Sequence, residues 1–191
     1  MTKRLCLPVL LLFTLVLSGC FFDQPLTDRP SKDINTWLLG VWQTKDDKGK
    51  THQATLTPLT GSRYAVRYEI LGSTKKETKT WVFEGWISRV GTSVFLNLQC
   101  LESAGQVPPD AFVFLHYQVV AQNTVVTRAL QLGSPQNATS MELRKEIRQK
   151  LKDKTLYDGS PVTVWSRISE VYWDADSFAT QPLQPLRFPS N

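Results

Sequence analysis

Short stretches in which apolar and polar residues alternate run through most of the chain. In the clearest, residues 64–70, every second residue is apolar and the residues between them include Arg67 and Glu69. A period of two indicates a β-strand that packs one face against a core. Apolar strand-like runs recur at 39–44, 53–59, 80–88, 94–98, 112–120, 125–132 and 162–168. The pattern therefore predicts an all-β fold of about eight strands, and the short links between most of them predict antiparallel neighbours.

One segment before the last strand has a helical period instead. Thr139 and Glu142 have the spacing of a capping box, and Leu143, Ile147 and Leu151 follow at intervals of four. These features predict one late α-helix of about 12 residues with a narrow apolar stripe. Beyond it, residues 176–191 contain three prolines and predict an irregular tail.

The strand at 80–88 is apolar on both faces, with Trp81 and Phe83 on one face and Trp86 on the other. Such a strand has to be covered on both sides. Either the late helix covers the second face, or Trp86 lies in an exposed patch that binds a partner or lipid. The helix also carries a basic solvent side that includes Arg144 and Arg148. These cations either form an ordinary solvated helix face or contact anionic lipid headgroups or an acidic partner.

The first twenty residues contain a second kind of signal. Lys3 and Arg4 precede an apolar run at 5–17, and Leu17-Ser18-Gly19-Cys20 follows. The run is shorter than the roughly 20 residues that span a bilayer, and the whole resembles a bacterial lipoprotein signal peptide. The resemblance implies removal of residues 1–19 and acylation of Cys20. An Asp directly after the lipidated cysteine is the usual signal that keeps such a lipoprotein from the outer membrane. Phe21 stands there instead, which favours delivery to the outer membrane, with the protein facing the periplasm.

Residues 20–36 form the next predicted unit, a lipidated N-terminus and flexible tether, because they are polar and contain two prolines. The domain proper is predicted at 37–175. After loss of the signal and acylation of Cys20, Cys100 is the one thiol that remains of three cysteines, so no internal disulfide can form. A buried position is the expectation for it. The formal charge of +5 falls to +3 without Lys3 and Arg4, which gives no reason to expect nucleic acid as a partner.

The Gly40-Val41-Trp42 sequence opens the β region. Together with about eight strands and one late helix, this G-x-W motif resembles the lipocalin-like (calycin) family. The resemblance implies a closed up-and-down barrel in which Trp42 closes the base and Arg167 packs across it by a cation–π contact. A β-sandwich or an open curled sheet is the alternative architecture.

Four aromatic residues share the predicted inner face: Tyr64, Tyr68, Trp81 and Phe83. An eight-stranded barrel is just wide enough to be filled by its side chains or to hold one small ligand. These four residues are therefore predicted either to line a small apolar pocket or to fill the barrel.

Residues typical of catalysis or metal binding are scattered. The two histidines lie near no nucleophile motif and have no metal-ligand spacing, two glutamates fall on polar strand faces, and two late aspartates are too few for a cation. These residues are His52, His116, Glu69, Glu84, Asp174 and Asp176. No catalytic residue, metal or cofactor is predicted.

The sequence thus predicts a non-catalytic, membrane-anchored lipoprotein whose barrel binds a small apolar ligand or acts as an envelope interaction module. The alternative is a periplasmic adaptor with a filled barrel that docks on a protein partner through Trp86, Arg144 and Arg148. A third hypothesis is a hydrolase with an unrecognised site.

Overall fold

Eight antiparallel strands close into an up-and-down barrel in a computed structural model that describes residues 21–105 and 107–170. Each strand pairs with the next in the chain, and β8 returns to pair with β1. The predicted barrel and late helix are confirmed, and the sandwich and open-sheet alternatives are wrong. The strands are β1 (Gly40–Lys45), β2 (Thr51–Leu59), β3 (Arg63–Ile70), β4 (Lys79–Val90), β5 (Ser93–Glu102), β6 (Phe112–Ala121), β7 (Thr124–Ala129) and β8 (Val162–Ser169).

The two ends of the barrel differ in their connections. The hairpins β2–β3, β4–β5 and β6–β7 lie at one end, together with a short 3-10 helix, Thr36–Leu38, that precedes β1. We call this end the base. The longer β3–β4 and β5–β6 loops lie at the opposite end with the β1–β2 loop and the β7–β8 connection, and we call this end the mouth.

Buried apolar residues form two clusters, one on each side of the barrel wall. Along β4, Trp81, Phe83 and Ile87 point to the interior cluster, whereas Trp86 and Val90 belong to an outer cluster. The alternation predicted from sequence therefore separates two cores rather than a core from solvent, because the outer face of β4 is covered as well.

The late helix supplies part of that cover. Helix α1 (Ser140–Lys152) begins at the N-cap Thr139, and both hydrogen bonds of its capping box are present. Leu143 and Ile147 are fully buried in the outer cluster, and Leu151 packs at its edge. Trp86 is only 3% exposed, so the interpretation in which it forms an exposed patch is wrong.

The segment before β1 supplies the rest of the cover, and the prediction of a flexible tether is wrong for its described part. Phe22 forms a bridge with Phe112 and stacks on Phe114, with ring centroids 5.1 Å apart. Leu26 is fully buried, and its N–H donates to Asn97 Oδ1 at 3.0 Å. Phe22 and Leu26 belong to the same outer cluster as Leu143 and Ile147, so two apolar side chains of a polar segment complete its cover. Cys20, the signal segment and residues 171–191, including Asp174 and Asp176, lie outside the described residues.

Candidate ligand-binding cavity

An apolar cavity of about 290 Å³ lies inside the barrel. Every strand contributes at least one side chain to its wall, so the cavity is a property of the closed barrel rather than of one loop. The wall is formed by Leu38, Trp42, Ala54, Leu56, Val66, Tyr68, Phe83, Leu96, Leu98, Val113, Leu115, Tyr117, Val125, Thr127, Ala129, Pro161, Thr163 and Trp165.

The base of the cavity is closed by Trp42. Its indole N–H donates to the Leu38 carbonyl at 2.9 Å, and the Arg167 guanidinium carbon lies 4.6 Å from its ring centroid. Arg167 also donates to the Trp37 carbonyl at 2.5 Å. The 4.6 Å distance confirms the cation–π contact between Arg167 and Trp42 that the calycin resemblance implied.

Gly40 explains why a glycine stands two residues before this tryptophan. Its φ is +130°, and a Cβ there would lie 2.9 Å from the Ser169 carbonyl oxygen. A side chain would therefore both strain the backbone and collide with β8 where the barrel closes.

Tyr64 adds a second closure at the base. Its ring is fully buried, and its hydroxyl accepts the backbone N–H of Asn35 at 2.6 Å. Burial raises the pKa of Tyr64, so the hydroxyl stays protonated. Tyr64 does not line the cavity, so the structure gives it a structural place rather than a place in the ligand wall.

The cavity reaches the surface at the mouth, where the wall residue Pro161 is exposed. Trp81 lies at this end of β4, and its indole N–H donates to the Gly105 carbonyl in the β5–β6 loop at 3.2 Å. Its ring packs against Tyr68, with centroids 5.4 Å apart. Of the four predicted ligand residues, Tyr68 and Phe83 line the cavity, whereas Trp81 supports Tyr68 from outside the lining.

A hydrogen-bonded chain that the sequence analysis missed lies behind Tyr68. The Tyr68 hydroxyl is 2.5 Å from His52 Nδ1, and His52 Nε2 is 3.3 Å from Asp46 Oδ2. Burial, and secondarily the negative charge of Asp46, raise the pKa of Tyr68 to about 12. The sequence held one signal for this chain, since His52 has the same parity as the inward residues Ala54 and Leu56 on β2.

The predicted partner-binding residues are not brought together. Trp86 is buried, and its indole N–H donates to the Thr27 carbonyl at 2.9 Å. Arg148 is exposed on α1, and Arg144 is half-buried. An adaptor that docks through all three residues would need a tryptophan that the helix and the N-terminal segment already cover.

The remaining titratable candidates lie away from the cavity. His116 packs on Tyr157 outside the barrel, with ring centroids 4.8 Å apart, and burial lowers its pKa. Glu69 and Glu84 pair with Arg67 and Arg63 on the outer surface. The cysteine predicted to be buried is so, since Cys100 has no exposed surface, and burial raises the pKa of its thiol.

The described residues offer neither a metal site nor a membrane-spanning helix. Across 21–105 and 107–170, no three His, Cys, Asp or Glu side chains cluster in a way that would hold a metal ion. Within the same ranges, no helix has the length and hydrophobicity needed to cross a membrane.

No protein-family model, curated protein or solved structure matches this chain.

Proposed function

We propose that this protein binds a small, largely apolar molecule inside its barrel and does so without catalysis. The observation that carries the proposal is the cavity of about 290 Å³, walled by residues from all eight strands. An engineered protein cavity of about 150 Å³ stays dry and binds benzene. A space nearly twice as large suits a molecule on the order of two fused rings.

The character of the wall supports the same proposal. It is made mainly of aliphatic and aromatic carbon, and its hydroxyl groups belong to Tyr68, Tyr117, Thr127 and Thr163. Some of these hydroxyl groups are already engaged: that of Tyr68 lies 2.5 Å from His52 Nδ1, and Trp165 donates its indole N–H to Thr127 Oγ1 at 2.9 Å. Ligand sites are typically apolar with a few placed polar groups, and this wall has that composition.

The experiment compares two phenylalanine substitutions at neighbouring residues of β2. Ala54 lines the cavity between Trp42 and Tyr68, its partners on β1 and β3, whereas Thr55 is absent from the lining and has the opposite strand parity. A phenyl ring at Ala54 would fill about half of the space. We expect the native protein and Thr55→Phe to bind naphthalene with a Kd on the order of 10–100 µM by equilibrium dialysis. Ala54→Phe should weaken binding at least tenfold. Equal binding by both variants, or none by the native protein, would contradict the proposal.

We further propose that the barrel is held at the bacterial envelope by lipid on Cys20, most simply at the outer membrane and facing the periplasm. The lipoprotein-like signal Leu17-Ser18-Gly19-Cys20 supports this proposal. Phe22, two residues later, bridges to Phe112 at the mouth end of β6. Two extended residues reach about 7 Å, so such an anchor would hold the mouth close to the bilayer.

The anchor is tested on the full-length chain in a bacterial host. Growth with an alkyne-bearing fatty acid should label the native protein in the membrane fraction. Cys20→Ala should abolish the label and release the protein from membranes, whereas Cys100→Ala should change neither. Labelling that survives Cys20→Ala would refute the proposed site.

A further inference from the structure

The Asp46–His52–Tyr68 chain gives one wall of the cavity a defined hydrogen-bond polarity. Asp46 is fixed by its own turn, since its Oδ1 accepts the backbone N–H groups of Lys48 and Lys50 at 2.9 and 2.8 Å. Its second oxygen, Oδ2, faces His52 Nε2 at 3.3 Å. These backbone hydrogen bonds, that of Lys50 above all, lower the pKa of Asp46 and keep it an ionised acceptor.

An ionised carboxylate can only accept hydrogen bonds, and this property sets the direction of the whole chain. The proton of the neutral imidazole must lie on Nε2, where it is donated to Asp46. His52 Nδ1 is then an acceptor, and the Tyr68 hydroxyl donates a hydrogen bond to it across 2.5 Å. The Tyr68 oxygen is left with lone pairs and no proton to offer a ligand.

We propose that the cavity selects molecules that carry a hydroxyl or N–H donor on an apolar body, with the Tyr68 oxygen as their acceptor. This inference rests on the proposed function, because it names the ligand class of the same cavity. An acceptor-only molecule of the same shape would set its oxygen against the lone pairs of Tyr68. A donor would instead complete a continuous chain from ligand through Tyr68 and His52 to Asp46.

Three rigid probes of nearly equal size test the selectivity at pH 8 by equilibrium dialysis. They are 2-naphthol, which carries a donor, 2-methoxynaphthalene, which carries only an acceptor, and naphthalene, which carries neither. We expect 2-naphthol to bind about tenfold more tightly than 2-methoxynaphthalene, the effect of about one hydrogen bond. Binding of all three with equal Kd would overturn the inference while leaving the proposed function intact. Failure of all three to bind would overturn both.

Asp46→Asn reverses the polarity without removing a side chain from the wall. The amide oxygen must keep accepting the two backbone N–H groups, so the amide nitrogen is turned toward His52 and donates to Nε2. The imidazole proton moves to Nδ1 and is donated to Tyr68, whose own proton is freed toward the cavity. The variant should therefore prefer 2-methoxynaphthalene over 2-naphthol or show no preference. A tenfold preference for 2-naphthol that survives the substitution would overturn the inference.

Tyr68→Phe is the second variant and removes the proposed acceptor itself. A ring C–H then separates the probes from His52, so all three should bind within about twofold of one another. Asp47→Asn, in the same turn and without a role in the chain, should keep the native preference. If Tyr68→Phe still prefers 2-naphthol, another group of the wall accepts the hydrogen bond of the ligand, and the role given to Tyr68 is refuted.

Discussion

Replacing Phe22 by alanine should destabilise the whole barrel, although Phe22 lies 18 residues before the first strand. The side chain is only 1% exposed, and its ring stacks on Phe114 at a centroid distance of 5.1 Å. Its backbone exchanges two hydrogen bonds with Phe112, at 3.0 and 2.7 Å. The segment therefore acts as part of the outer core rather than as a linker.

The magnitude follows from this burial. Removal of a fully buried phenylalanine costs about 3–5 kcal/mol, made up of the lost transfer free energy and the cavity left behind. The backbone hydrogen bonds remain available to alanine, so the lower half of that range is expected. Because whole domains are stable by roughly 5–15 kcal/mol, this loss is a large part of the total.

Urea unfolding followed by tryptophan fluorescence measures the loss. With a denaturant slope of about 1–3 kcal/mol per molar, the midpoint should fall by about 1–4 M. Phe21→Ala is the matched control, because Phe21 is the adjacent phenylalanine and is only half-buried. It should cost about 1 kcal/mol or less. A Phe22→Ala midpoint equal to that of Phe21→Ala would refute the docking of this segment and would support the prediction of a flexible tether.

Two further predictions concern charged groups, one at the base of the barrel and one on α1. Arg167→Met should reduce the free energy of unfolding by about 1–2 kcal/mol, because it removes the contact with Trp42; a urea midpoint no lower than that of Arg148→Met would contradict this. Glu146 accepts hydrogen bonds from Gly133 and Ser134. It is partly buried, which raises its pKa, but these bonds outweigh burial and leave the pKa below its ordinary value of 4.5. Its stabilisation is therefore present above about pH 4.5 and is lost as the pH falls through the lower folded value. Glu146→Gln should cost about 1–2 kcal/mol at pH 7 and less near pH 3 in urea unfolding, and a cost independent of pH would contradict the argument.

The barrel could be predicted from sequence because its local signals agree. Alternation along β3 and β5 gave strand faces, and the Thr139–Glu142 capping box gave the start of α1 within a residue. The resemblance carried by the G-x-W motif implied the closure of the base. Gly40 stands where a Cβ would collide with β8, and Trp42 covers the base with its indole N–H bonded to the Leu38 carbonyl. The strand alternation and the capping box are set by neighbours within a few residues in the chain, whereas the closure at Gly40 was implied by the family resemblance and is made against Ser169 on β8.

Features that depend on distant pairing could not be predicted in the same way. Tyr64, Tyr68, Trp81 and Phe83 were assigned correctly to the interior, but a period of two gives the face of a residue and not its height along the barrel axis. Register and strand tilt place Tyr64 at the base and Trp81 at the mouth, leaving Tyr68 and Phe83 in the cavity wall.

The N-terminal segment shows a second limit. Phe22 and Leu26 dock on the outer face without adopting a helix or a long strand, so no periodicity marks them in the sequence. The hydrogen-bonded chain Asp46–His52–Tyr68 likewise needs a turn and the pairing of β2 with β3 to bring its three side chains together. Both features become visible only when the surfaces they meet are known.

Native mass spectrometry of the protein isolated gently after expression in bacteria tests most directly whether the barrel is a binding site. We expect a discrete added mass, on the order of two fused rings in size, that is lost on denaturation and is absent from Ala54→Phe. An added mass that Ala54→Phe retains, or a protein that is apo and fails to take up naphthalene or 2-naphthol afterwards, would show that the barrel cavity is not a binding site.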